Sequence, residues 1–194
     1  MQLVFATQNS NKSKEIRELL PNLISLQDLG DINCYEDIPE TSPTIEGNAV
    51  QKAEYVLQHY GHSCFADDTG LEIEALNNEP GVYSARYAGP EKNSAANITK
   101  VLTKLEGESN RNAQFRTVIA LATPSGIQTF EGICKGTIGM TQKGTDGFGY
   151  DPIFIPEGED RTFAEMSLSE KNRISHRSRA FQKFVAYVNS LSNG

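Results

Sequence analysis

Two adjacent carboxylates, Asp67 and Asp68, close the short apolar run Phe65-Ala66 and are followed by Thr69 and Gly70. On an extended chain neighbouring side chains point to opposite faces, so the two acids cannot serve one ligand together. One is suited to chemistry and the other to structure. Carboxylate oxygens at a strand end suit a hard cation such as Mg²⁺, and a phosphate is that cation's usual companion. The pattern reads as a strand delivering its acids to a turn, with strand-like alternation resuming from Leu71 to Glu74. Because Asp, Thr and Gly are common turn formers, the hexapeptide by itself describes a plain surface turn at least as well.

Cationic partners for a phosphate lie elsewhere. The polar stretch Thr7-Gln8-Asn9-Ser10-Asn11-Lys12 sits between the apolar run Leu3 to Ala6 and a helical stripe of Ile16, Leu19, Leu20 and Leu23. That order is strand, loop, helix, and Asn9 or Asn11 can cap the helix while its free N–H groups and Lys12 attract an anion. The glycine and lysine spacing of a P-loop is absent. A second helix is predicted from about Thr44 to Tyr60, with Asn48 and Lys52 four residues apart on one face. Lys52 is then either a solvated lysine or a charge clamp beside a phosphate. His59 and His62 lack a nearby third ligand and read as surface residues.

The second half of the chain offers groups for a flat ligand. In Gly147-Phe148-Gly149-Tyr150-Asp151 the glycines let backbone approach a ring on which Phe148 or Tyr150 can stack. A strand is expected over Ile153 to Ile155. Between Arg161 and Lys183 basic residues outnumber acidic ones, forming either a solvated helix face or a local anion site. Ser175-His176-Arg177 opens the last predicted helix; no nucleophile elbow accompanies it, so a Ser-His-Asp triad is excluded. A third helix is predicted from about Ser94 to Glu106, capped by Asn93, and a hairpin over Gln114 to Thr123 and Ile127 to Gly139. The turn-rich loop from Asn77 to Tyr87 carries tyrosines and an arginine suited to contacts with a ligand or a second subunit.

With 194 residues and no low-complexity tract, the chain is expected to form a single domain over residues 1–194. Its net charge of −7 argues against a broad nucleic-acid-binding face. Cys34, Cys64 and Cys134 form no paired spacing, which implies reduced thiols and a cytoplasmic setting. No apolar run approaches the ~20 residues of a membrane span, and no membrane association is expected.

Taken in chain order, these stretches resemble the inosine triphosphate pyrophosphatase family. The matching segments are Thr7-x-Asn9-x-x-Lys12, Glu40 with Asn48-Ala49-x-x-Lys52-Ala53, and Ala66-Asp67-Asp68-Thr69-Gly70-Leu71. Pro80 to Tyr87, Gly147 to Phe154, and Lys171 with Ser175-His176-Arg177 complete the set. Thr69 stands where the family commonly has Ser, and Gly47 where a Glu is usual.

The resemblance implies an α/β fold with an elongated mixed sheet flanked by helices, two lobes and a central substrate cleft, in a homodimer. It implies hydrolysis of ITP, dITP or XTP to the monophosphate and pyrophosphate with Mg²⁺. By that resemblance Thr7, Gln8, Asn9, Ser10, Asn11 and Lys12 bind phosphates, Glu40 and Asp68 hold the metal, and Asp68 accepts the proton of the attacking water. Lys52 assists catalysis, Thr69 assists binding, and Phe148, Gly149, Tyr150, Asp151, Lys171, His176 and Arg177 hold the base. The rivals are a house-cleaning pyrophosphatase for other modified nucleotides and a nucleotide-binding regulator without catalysis. The joint presence of Glu40, Lys52 and Asp68 speaks against the regulator, because binding alone needs no metal site beside a base.

Overall fold

The computed structural model describes residues 1–22 and 24–192. In chain order the regular elements are β1 (Gln2–Phe5), α1 (Ser10–Leu19), β2 (Ser25–Gln27), α2 (Ile45–Tyr60), β3 (Cys64–Ile73) and β4 (Glu79–Gly81). They continue with α3 (Ser94–Lys104), β5 (Asn112–Thr123), β6 (Gly126–Ile138), β7 (Phe154–Pro156), α4 (Leu168–Ile174) and α5 (His176–Ser192). The fold is mixed α/β: β1 runs parallel to β2 and β3, whereas β4 is antiparallel to β3 and β7 to β6. Helices flank the sheet.

The chain divides into two compact units, and β3, β5 and β6 each contribute one end to either unit. The first comprises residues 1–68, 117–132 and 177–194, with strand order β2-β1-β3-β5-β6. Its core gathers Leu3 and Phe5 of β1, Ile16 of α1, Phe65 of β3, Ile119 and Leu121 of β5, and Phe181, Phe184 and Val188 of α5. Phe65 stacks on Phe5 at 4.6 Å between centroids and lies 4.9 Å from Phe184. The second comprises residues 69–116 and 133–176, with strand order β4-β3-β5-β6-β7. Leu71, Ile98, Val101, Phe115, Phe154 and Phe163 lie in its core.

The helix starts follow the local chemistry of the chain. Asn9 accepts the Asn11 and Lys12 N–H groups, Thr44 that of Gly47, and Asn93 that of Ala96, each offsetting donors that a helix terminus leaves without intrahelical acceptors. Helix α1 stops at Leu19, with Pro21 two residues on, so Leu20 is its C-cap; Leu23 lies outside the described residues.

Two expectations are corrected. No turn follows Asp68: β3 continues unbroken through Thr69 and Gly70 to Ile73. Register with β1 at Cys64 and Phe65, and with β4 at Leu71 to Ile73, holds this stretch extended and overrides the turn tendency of Asp, Thr and Gly. The strand after Pro152 starts one residue late, because Asp151–Ile153 form a 3₁₀ turn.

Phe65 touches aromatic rings from β1 and α5 and is fully buried. Phe65→Ala is expected to cost about 3–5 kcal/mol. Urea unfolding measures this, and a loss under about 1 kcal/mol would show that the site collapses around the smaller side chain.

Candidate active site

The pleat of β3 separates the two acids. Cys64 Sγ donates to the Ala53 carbonyl of α2 at 3.0 Å, while Phe65 packs on α5, so alternate residues of β3 face different helices. Asp67 falls on the α5 side, where its carboxylate lies 3.1 Å from Arg177 Nε and 3.0 Å from Lys12 Nζ. Asp68 falls on the α2 side. Its Oδ2 accepts from Asn48 Nδ2 at 3.4 Å, and its Oδ1 lies 3.8 Å from Lys52 Nζ. Asn48 and Lys52 reach one carboxylate because they are one helical turn apart.

Lys52 joins the parts of this cluster. Its Nζ donates to Glu40 Oε1 at 2.5 Å and to the backbone carbonyl of Asp67 at 2.8 Å. Lys12 reaches the same carbonyl at 3.3 Å, and Arg177 Nη1 also donates to Glu15 of α1. Three cations therefore meet four carboxylates in a largely buried setting.

Burial works against the charge of Asp67, but Lys12, Arg177 and Lys52 together hold its carboxyl well below the usual carboxylate range. Burial pushes Asp68 up; Lys52 and Lys12 oppose it, and Glu40 and Asp67 add to it. Burial also lowers Lys12 more than Asp67 restores it, whereas for Lys52 the attraction of Asp68, Glu40 and Asp67 outweighs burial and raises it. The cluster thus holds one carboxylate locked in its charged form and another raised toward proton acceptance.

Glu40 comes from a segment with neither helix nor strand between Ile32 and Ile45, and it is held by side-chain bonds. The Glu36 carboxylate accepts from Tyr55 and Tyr60 hydroxyls at 3.0 and 2.5 Å. Gln51 bonds both the backbone N–H and the hydroxyl of Thr41 at 2.9 Å, and Asn48 Oδ1 accepts the Ser42 N–H at 2.9 Å. Gly47 allows this close approach: a Cβ there would lie 1.9 Å from Ser42 Oγ and 2.8 Å from Ser42 Cβ. A Glu three residues after a Thr N-cap ordinarily accepts the cap's own N–H. Here Ser42 Oγ accepts the Thr44 N–H at 3.2 Å, so the cap finds its acceptor on the preceding loop instead of on the helix.

In the second unit Phe148, Asp151 and Lys171 form a compact group. Lys171 Nζ donates to Asp151 Oδ2 at 2.6 Å with both side chains buried, and the same oxygen accepts the Phe148 N–H at 2.9 Å. The ammonium also lies 5.0 Å from the Phe148 ring centroid. Gly147 has φ +73°, and any Cβ there would meet Asp151 Oδ2 at 2.0 Å.

Tyr150 differs from Phe148. It is buried in the core and its hydroxyl donates to the Ser84 carbonyl at 2.7 Å, leaving half-buried Phe148 as the better stacking ring. His176 is buried with its ring stacked on Phe115 at 4.5 Å, and Gly149 takes a positive φ of 60°. Thr69 is a half-buried residue of β3 rather than of a turn.

Of the expected phosphate set, Lys12 joins the carboxylates while Gln8, Asn9, Ser10 and Asn11 are exposed around the start of α1 and Thr7 is half-buried. Arg177 binds Glu15 and Asp67, a supporting place in the charge cluster. Glu15 is the member of this cluster that no sequence motif marks. Its signal is the i, i+3 spacing from Lys12 beside the apolar Ile16, which puts a carboxylate on the inner side of α1.

Asp67→Asn would leave Lys12 and Arg177 facing a neutral amide, with an expected loss of about 3–5 kcal/mol at pH 7. A carboxyl lowered by folding contributes stability above its unfolded pKa, and that contribution is lost as pH falls toward its folded pKa. The gap between wild type and variant should therefore shrink below about pH 4. Urea unfolding at pH 7 and pH 3 tests this, and an unchanged gap would remove Asp67 as its source.

The Ham1 family model matches residues 3–187. A dITP/XTP pyrophosphatase of Flavobacterium johnsoniae is 58% identical over 185 residues, covering 95% of this chain and 96% of the relative. Among solved structures, the Staphylococcus aureus Ham1 protein superposes with a TM-score of 0.90 at 38% identity, covering 98% of this chain and 99% of its own. A HAM1 protein from Coxiella burnetii gives 0.90 at 40% identity with the same coverage. A fold and a sequence likeness that both extend over nearly the full length place this chain in the Ham1 family.

Proposed function

We propose that this chain hydrolyses non-standard purine nucleoside triphosphates, ITP, dITP and XTP, to the monophosphate and pyrophosphate. The observation that carries the reading is Asp68, a carboxylate raised by burial and held between Asn48 and Lys52 beside Glu40. The 58% identity to a dITP/XTP pyrophosphatase supports the substrate class.

The exposed start of α1, with residues Thr7 to Lys12, receives the triphosphate, and Lys12 and Lys52 offset its charge. Asp68 takes a proton from water as the water oxygen attacks the α-phosphorus. The bond from that phosphorus to the oxygen bridging the α and β phosphates breaks, and pyrophosphate leaves. Glu40 and Asp68 fit Mg²⁺: they are hard oxygen donors, Glu40 is one-third exposed, and a Mg²⁺ ion commonly takes one or two carboxylates with substrate phosphates. Among the described residues no group of three or more His, Cys, Asp or Glu could form a closed metal cage. When bound, the ion would neutralise phosphate charge and polarise the scissile group.

Phe148, Gly149, Asp151 and Lys171, with Tyr150 and His176 behind them, are assigned to the purine. Lys171 is a donor suited to the 6-carbonyl of hypoxanthine or xanthine and unsuited to the 6-amino group of adenine. One domain over residues 1–194 carries the activity, in the cytoplasm, where Cys34, Cys64 and Cys134 stay as the buried thiols, in no disulfide, that they are here. The chain acts as a homodimer, with the loop containing exposed Tyr83 at or near the interface.

With dITP and Mg²⁺ the first products should be dIMP and pyrophosphate; dIDP with orthophosphate would overturn the bond assignment. Asp68→Asn should lower kcat about 10²-fold or more with the fold retained. The ratio of kcat/KM for ITP over ATP should exceed about 10², and comparable values would favour a general nucleotide pyrophosphatase. Light scattering should give twice the 21.3 kDa chain mass; a monomer at low micromolar concentration would refute the dimer.

A further inference from the structure

Resting on that reading, we propose that Asn48 is a positioning residue that aims the Asp68 carboxylate and ties it to the segment carrying Glu40. Asn48 lies on α2 with 1% of its surface exposed, so it does not itself meet water or substrate. Its amide is used at both ends: Oδ1 accepts the Ser42 N–H at 2.9 Å, and Nδ2 donates to Asp68 Oδ2 at 3.4 Å.

Chemistry fixes the orientation of this amide. A backbone N–H only donates and an ionised carboxylate only accepts, so Oδ1 must face Ser42 and Nδ2 must face Asp68. At this length an amide offers an acceptor and a donor on one planar group whatever its surroundings, whereas an Asp carboxyl does so only when protonated. Lys52, one turn further along the same helix, reaches Glu40 and the other oxygen of Asp68. Asn48 and Lys52 therefore grip the two acids in parallel: Asn48 through the backbone near Glu40 and Asp68 Oδ2, Lys52 through Glu40 Oε1 and Asp68 Oδ1. Lys52 supplies attraction, which is non-directional, whereas Asn48 supplies direction through a hydrogen bond, whose strength falls as its angle bends. The lone pairs of Asp68 are thereby aimed, and its distance from Glu40 is set through the short backbone between Glu40 and Ser42.

Asn48→Asp separates aiming from anchoring. Asp at 48 keeps size, shape and an oxygen for the Ser42 N–H, but turns a second carboxylate oxygen toward Asp68 in place of a donor. With dITP as substrate, Asn48→Asp should lower kcat about 10- to 100-fold, the usual scale for groups that orient an active-site ligand, with KM changed less than about threefold. Adding Asn48→Asp, which keeps the oxygen for the Ser42 N–H, to Asp68→Ala should lower the residual rate no further, because the aiming acts through Asp68.

Wild-type kcat in Asn48→Asp would overturn the proposal, as would a loss confined to thermal stability or to KM, or an undiminished Asn48→Asp effect in the Asp68→Ala background. These outcomes are distinct from failure of the functional reading, which would appear as wild-type protein that does not release pyrophosphate from dITP.

Discussion

A carboxylate sealed inside a protein keeps its charge only if cations are sealed in with it. Asp67 is that carboxylate. Lys12 from α1, Lys52 from α2 and Arg177 from α5 all contribute to keeping it ionised, and Lys12 and Lys52 also donate to its backbone carbonyl. Helices α1, α2 and α5 are thereby referenced to one residue of β3. Glu15 completes the arrangement by balancing Arg177, and Glu40 and Asp68 balance Lys52. Removing Asp67 would leave Lys12 and Arg177 short of a partner, whereas Lys52 keeps one carboxylate when either Glu40 or Asp68 is lost.

On the proposed function, this arrangement is how a site for a highly charged ligand is built without a glycine-rich phosphate loop. Lys12 and Lys52 are held extended toward β3 by Asp67 before any ligand arrives, so little side-chain freedom remains to be lost on binding. The acid beside Asp67 in sequence is free of that duty because the pleat turns it the other way. Adjacent residues on a strand thus divide support and the proposed chemistry between them, because the pleat turns them to opposite faces.

Much of this is legible in the sequence where a local rule decides. The division between Asp67 and Asp68 follows from strand periodicity, the caps Asn9 and Asn93 from their side chains, and the shared face of Asn48 and Lys52 from helical spacing. The turn expected after Asp68 gives way because strand pairing at both ends of β3 outweighs the preference of four residues. Arg177 reads as a ligand donor in the sequence because its partner Glu15 is 162 residues away, and no local pattern announces such a pair. Tyr150 and Phe148 look alike in a glycine-punctuated loop; only the reach of Tyr150 to the Ser84 carbonyl, 66 residues distant, puts one in the core and leaves the other half-buried.

The close approach of Ser42 to Gly47 makes these two positions a single unit of evolutionary change. A side chain introduced at 47 while Ser42 remains would overlap its Oγ and crowd its Cβ, pushing the Glu40 segment off α2. Loss of the Ser42 side chain first removes its bonds to the Thr44 N–H and hydroxyl at a helix start, a cost of about 1 kcal/mol. Neutral drift between the two capping schemes is therefore directional, passing through glycine at 42, with the Thr44 hydroxyl 2.8 Å from the new Cβ turned aside, before a carboxylate at 47. Relatives that carry Glu at the second position should carry glycine at the first, a covariation set by van der Waals volume and visible in any sufficiently deep set of sequences.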